Sequence, residues 1–67
     1  MTLFAERLRE IRAENKLKQE DLAKILSVNQ RTISNWENSV NEPDFDMLSK
    51  IAKYFEVSAD YLLGLEE

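Results

Sequence analysis

Residues 19–38, QEDLAKILSVNQRTISNWEN, decide the fold. Leu22, Ala23 and Leu26 share one face of a first helical segment, and Ala23 offers only a methyl where two backbones must come close. Ser27-Val28-Asn29 interrupts that pattern and makes a turn. Ile33 and Trp36 then recur three apart, which sets both on the inward face of a second short helix, read over about residues 30–38. Trp36 shares the phase of Ile33 and opposes Asn35, so it is assigned to the core rather than to base stacking. The outward face of the second helix presents Gln30, Arg31, Ser34 and Asn35. These side chains hydrogen-bond base edges and phosphates, and no acid interrupts them. Two short helices across a tight turn, the second bearing such a face, read as a helix-turn-helix.

The composition limits what else the chain can do. Its 67 residues lie near the lower bound for a domain that folds without staples. There is no Cys to form a disulfide or thiolate metal site, and no His, the commonest general base and metal ligand. Asp44, Asp46, Glu56 and Asp60 have no His or Lys placed as a catalytic partner and read as caps and solvated faces. An enzyme is therefore not expected, nor is a metal, cofactor or small-molecule ligand. No run approaches the roughly 18 apolar residues that span a bilayer, so no membrane partner is expected. The N-terminal MTLFAERLRE carries acids and lacks the apolar stretch of a secretory signal. A soluble cytoplasmic protein is expected, associated with the nucleoid through DNA.

The remaining segments supply the cover for the two-helix pair. A first helix is read over Leu3–Glu14, with Phe4, Leu8 and Ile11 inward and Glu6, Arg9 and Glu10 in solvent. Asn15-Lys16 ends it, with Asn15 expected in the left-handed conformation. The motif helices follow at about Gln19–Leu26 and Gln30–Asn38, the second capped by Asn29. After the loop Ser39–Pro43, Asp44 caps a helix over Phe45–Phe55 that aligns Leu48, Ile51, Ala52 and Phe55. Ser58 caps a last helix, Ala59–Leu63, ended by Gly64. No repeat, strand signal or linker interrupts this order. The expectation is a single compact all-α domain of five helices over residues 1–67.

The net charge of −4 opposes a polyanionic partner at first sight, but it is unevenly spread. Residues 1–40 hold seven basic and six acidic side chains, a balance of +1. Residues 41–67 hold two basic and seven acidic ones, a balance of −5. The acidity thus sits away from the Gln/Arg/Ser/Asn face. A small basic surplus implies few phosphate contacts.

Taken in order, RLREIR at 7–12, LKQEDLAKIL at 17–26, VNQRTISNWEN at 28–38, the Pro-Asp pair at 43–44 and LSKIAKYFEVSADYLLG at 48–64 resemble the Cro/C1-type helix-turn-helix family, the phage-repressor-like regulators also called the Xre family. The resemblance runs from Phe4 to Gly64 and implies a lambda-repressor-like five-helix fold whose second and third helices form the motif. It places Gln30, Arg31, Ser34 and Asn35 at base-reading positions, and Lys18, Gln19, Asn29 and Asn38 at phosphate-contacting ones. It implies an ion pair between Arg12 and Glu37 that ties the first helix to the recognition helix. It also implies that copies pair on DNA through the C-terminal end, making Tyr61, Leu62 and Leu65 candidates for a dimer contact. The alternative for those three is satellite core under the last helix.

Several positions depart from the family pattern. Ser27 stands where the turn usually has Gly, Lys18 replaces the usual Ser or Thr cap, and Ser39 replaces a Gly after the recognition helix. Val40-Asn41-Glu42 lacks the basic residues often found in that loop. Together these imply a weaker binder than more basic members. The expected function is sequence-specific binding of double-stranded DNA in the major groove by a bacterial or phage transcriptional regulator. A repressor is expected, a homodimer on an inverted-repeat operator. The competing reading is a helix-turn-helix bundle that binds protein, as an antitoxin or antirepressor would, and the sequence pI of about 4.8 favours it.

Overall fold

The computed structural model describes residues 2–66. Five helices follow one another, α1 (Phe4–Glu14), α2 (Gln19–Leu26), α3 (Gln30–Glu37), α4 (Phe45–Phe55) and α5 (Ala59–Leu63). No strand occurs among the described residues. The bounds match the sequence expectation, except that Leu3 is the N-cap of α1 and Asn38 the C-cap of α3 rather than members of those helices.

Short polar side chains start three of the helices. Asn29 Oδ1 accepts the Thr32 amide at 2.9 Å, Asp44 Oδ1 accepts that of Met47 at 2.8 Å, and Ser58 Oγ accepts that of Tyr61 at 2.9 Å. Lys18 has no acceptor to offer α2. There the Asp21 carboxylate accepts the Lys18 amide at 2.9 Å, which is half of a capping box.

All five helices end in the same way. A left-handed residue (Lys16, Ser27, Ser39, Glu56 or Gly64) precedes an apolar one whose amide reaches back five residues. The bonds run from Leu17 to Arg12, Val28 to Ala23, Val40 to Asn35, Val57 to Ala52 and Leu65 to Asp60, at 2.8–3.1 Å. Asn15 is not the left-handed residue of the first connection; its φ is −92°, and Lys16 takes that role at 57°. Only Gly64 adopts positive φ without a side-chain penalty. A Cβ there would also lie 2.7 Å from the Leu3 side chain, whose amide meets the Leu63 carbonyl as the two ends of the chain close together.

Inside, Leu8, Leu22, Leu26, Ile33, Ile51 and Leu62 are completely enclosed, ringed by Phe4, Ile11, Ala23, Trp36 and Ala52. Phe4 meets Trp36 edge to face, with ring centroids 6.5 Å apart. Helix α2 packs on α3, α1 on both α3 and α5, and α4 on α5. Ala23 of α2 is buried, at 3% exposure. Lys50 of α4 donates to the Leu26 carbonyl at 3.1 Å, joining α4 to the end of α2.

Ser27 sits at φ 60°, where an L side chain costs about 1–2 kcal/mol that Gly avoids. Glycine's greater freedom in the unfolded chain offsets part of the gain. Ser27→Gly is expected to stabilise the protein by about 0.5–1 kcal/mol, seen as a higher urea midpoint at unchanged m-value. No increase would show that the turn is not strained.

Candidate nucleic-acid interface

The outward face of α3 is organised by what lies beneath it. Ile33 and Trp36 anchor the helix in the core, and Glu37 follows them inward to 2% exposure. Burying a carboxylate is costly unless it is paired and hydrogen-bonded. Arg12 of α1 supplies the partner, its Nε donating to Glu37 Oε2 at 2.6 Å and Nη2 to Oε1 at 3.0 Å. Arg12 Nη1 also donates to the Leu17 carbonyl at 2.8 Å, so its guanidinium is held on three sides.

The Arg12 guanidinium is held above its ordinary pKa, chiefly by the hydrogen bond to Glu37; burial opposes the rise and the Glu37 charge adds to it. A folded pKa above the unfolded one gives stability that is fully present below arginine's ordinary pKa and is lost only as pH rises through the folded value. The arginine side of the pair therefore contributes undiminished at neutral pH.

Arg9 is exposed, as the sequence reading had it, and also makes a contact that the reading missed. Its Nη1 donates to the Glu37 backbone carbonyl at 2.8 Å, placing a cation at the C-terminus of α3. Helix periodicity alone gave no sign of this, since the acceptor is a backbone group 28 residues away.

With its only acid turned inward, α3 presents no negative side chain to solvent. Gln30, Arg31, Ser34 and Asn35 line one shallow depression together with Gln19 from α2. Gln30 and Arg31 are exposed, whereas Ser34 and Asn35 are half-buried. The four base-reading candidates thus share one face, with Gln30 and Arg31 at the leading end of the helix.

The phosphate candidates are less uniform. Lys18 is exposed at the start of α2. Asn29 is exposed, but its Oδ1 is engaged by the amide and hydroxyl of Thr32, at 2.9 and 3.0 Å, which leaves its amide NH2 as donor. Asn38 folds back on α3, its Nδ2 donating to the Ser34 carbonyl at 2.9 Å and to the Ser34 hydroxyl at 3.3 Å; exchanging the longer bond frees an N–H for a phosphate. Gln19 is turned inward: its Nε2 donates to Glu37 Oε1 at 3.1 Å, and its Oε1 faces Gln30 Nε2 at 3.5 Å.

The dimer candidates divide. Leu62 is completely buried and has no surface to offer a partner, which corrects its assignment as a contact residue. Tyr61 is half-buried under Arg7, whose guanidinium lies 4.6 Å from the ring centroid. Leu65 is 73% exposed. Phe45, which the sequence reading did not single out, is 88% exposed at the start of α4 and borders a small apolar depression with Pro43 and Leu63. Among the described residues no group of three or more His, Cys, Asp or Glu is placed to hold a metal ion. No helix among them is long and apolar enough to cross a membrane.

A family model described as helix-turn-helix matches residues 8–62. The HTH-type transcriptional activator BcrR of Enterococcus faecalis is 41% identical over 64 residues, which are 96% of this chain and 31% of that protein. The HTH-type transcriptional regulator ImmR of Bacillus subtilis is 37% identical over 64 residues, 96% of this chain and 50% of that protein. The chain thus spans half or less of the length of these relatives. The crystal structure of the P22 c2 repressor in complex with a synthetic operator superposes with a TM-score of 0.85 at 38% identity, covering 94% of this chain and 96% of that one. The chain belongs to the helix-turn-helix family, of the Cro/C1 or Xre type.

Removing one partner of the Arg12–Glu37 pair leaves the other uncompensated, at a cost of about 3–5 kcal/mol. Glu37→Leu is expected to lower unfolding free energy by that order, and Arg12→Met combined with Glu37→Leu by much less than the two single changes together. Urea unfolding of the double-mutant cycle measures it. Additive losses would show that the two side chains act independently.

Proposed function

We propose that this chain is the DNA-reading domain of a transcriptional regulator, binding double-stranded DNA sequence-specifically with α3 in the major groove. The observation that carries the proposal is the face of α3: Gln30, Arg31, Ser34 and Asn35 lie together on it while its only acid is turned inward. The likeness to the P22 c2 repressor, whose structure was solved with a synthetic operator, supports the same orientation. In it, Gln30 or Asn35 matches the donor–acceptor edge of adenine and Arg31 the two acceptors of guanine. Lys18 and the Asn29 amide contact phosphates and set the register without selecting sequence.

Two copies bind an inverted repeat with half-sites about 34 Å apart, one helical turn. Leu65, Tyr61 and neighbouring exposed apolar surface form their contact. The domain represses by occupying a promoter, which requires only that it exclude polymerase. BcrR is named an activator, so activation by a longer protein carrying such a domain is the alternative outcome of binding. The cytoplasm and nucleoid are the corresponding location.

A second reading has an observation of its own. Residues 41–67 carry a balance of −5, and Phe45 lies 88% exposed among them. Both suit a protein partner better than a polyanion.

Selection of bound sites from random duplex DNA at low salt, about 50 mM, discriminates between the two. An inverted repeat with half-sites one turn apart is expected. Gln30→Ala and Arg31→Ala each reduce discrimination at one base pair by about 1–3 kcal/mol, whereas Lys18→Ala weakens binding to every sequence alike. Failure of the folded protein to enrich any sequence would favour the protein-partner reading.

A further inference from the structure

Phe45 is the most exposed large apolar side chain among the described residues, at 88%. Asp44 caps α4, and Ile51 and Ala52 anchor it in the core, so the ring serves neither purpose. Nor is it isolated. With Phe4, Pro43, Leu48 and Leu63 it lines a depression of about 100 Å³ whose walls are almost wholly apolar, room for one aliphatic side chain. The two polar residues at its edge, Thr2 and Glu42, are bonded to each other at 3.2 Å. An exposed ring beside an apolar hollow has the form of a contact surface.

The charge around it has one sign. Glu42, Asp44 and Asp46 flank the ring in sequence, and no Lys or Arg occurs between Arg31 and Lys50. Lys50 itself turns to the Leu26 carbonyl. Among the described residues the only ion pair is Arg12–Glu37, so none of these three carboxylates has a cationic partner there. All three residues are exposed.

That charge selects the occupant. A second copy docked here about a two-fold axis would bring Glu42, Asp44 and Asp46 of both chains together with no base between them. A phosphate backbone would meet the same repulsion. A protein segment with an aliphatic side chain for the depression and Lys or Arg beside it matches both the shape and the charge.

We infer that Phe45 and the depression beside it are a docking site for another protein, through a segment whose aliphatic anchor is flanked by Lys or Arg. The ring and the anchor carry the affinity, and the acidic rim selects the partner and speeds encounter. This gives the protein-binding reading a surface and a partner chemistry. The site uses none of Gln30, Arg31, Ser34 or Asn35, so it operates beside the proposed DNA reading and does not depend on it.

The test titrates the chain into a labelled synthetic amphipathic peptide with Leu on one face and Lys on the other, and into a counterpart in which every Lys is Glu. Saturable binding of the Lys peptide is expected, with nitrogen-15 amide shifts at residues 42–48 and at Leu63. Phe45→Ser alters a side chain already in solvent, so it should keep the fold by circular dichroism while weakening binding by at least about tenfold. Glu42→Gln combined with Asp46→Asn should weaken it about threefold or more at about 50 mM salt, a difference that fades as salt rises. Asp44 is kept because it caps α4. The Glu peptide should not bind. Undiminished affinity in Phe45→Ser, equal binding of the two peptides, or a dimer in sedimentation that Phe45→Ser abolishes, making a second copy the occupant, would overturn the inference. Failure of α3 to select any DNA sequence would leave it standing.

Discussion

A carboxylate enclosed in a helical bundle of 67 residues constrains everything around it. Glu37, 2% exposed, is tolerable only because Arg12 reaches it with two N–H groups and Gln19 with a third. Those bonds fix the rotation of α3 about its axis. With Glu37 inward, Ile33 and Trp36 fill the core, and Gln30, Arg31, Ser34 and Asn35 can only face out. Arg9 holds the C-terminal end of the same helix through the Glu37 carbonyl. One pair thus sets the orientation of the face proposed to read DNA and turns the only acid of α3 away from it.

The connections impose a different constraint. Five short helices must turn sharply, and each does so through one left-handed residue followed by an apolar one. Four of the five left-handed residues carry side chains, so the turns hold conformational strain that glycine would relieve. Val28 and Val57 offset some of it by packing against the core. Val40 and Leu65 remain largely exposed, at 67% and 73%. The second of these lies near the end through which the domain is proposed to pair.

Much of this was legible in the sequence, because the relevant signals are local. The stripes Leu22/Ala23/Leu26 and Ile33/Trp36, with the caps Asn29, Asp44 and Ser58, placed four of the helices at their observed starts. What was not legible depends on groups distant in the chain or on backbone geometry. Lys16, not Asn15, takes the left-handed position, because the determinant is the apolar Leu17 that follows and the bond it makes, rather than the tolerance of Asn for that conformation. For Leu62 the sequence left a dimer contact and core burial both open, because a five-residue helix is too short to establish a stripe. Nor could the partners of Arg9, Gln19 and Asn38 be read: Arg9 and Asn38 are exposed and Gln19 half-buried, and each donates a side-chain N–H. In each case the acceptor is a backbone or buried group that periodicity does not reveal.

The division of the chain into a neutral-to-basic half, proposed to meet DNA, and an acidic half can be tested directly. Nitrogen-15 NMR of the labelled protein, titrated with a mixed-sequence duplex at about 50 mM salt, reports which surface meets DNA. Shifts are expected at the backbone amides of the α2 and α3 N-termini and at the side-chain amides of Gln30 and Asn35, with α4 unperturbed. Shifts confined to α4 and α5, with α3 silent, would contradict it.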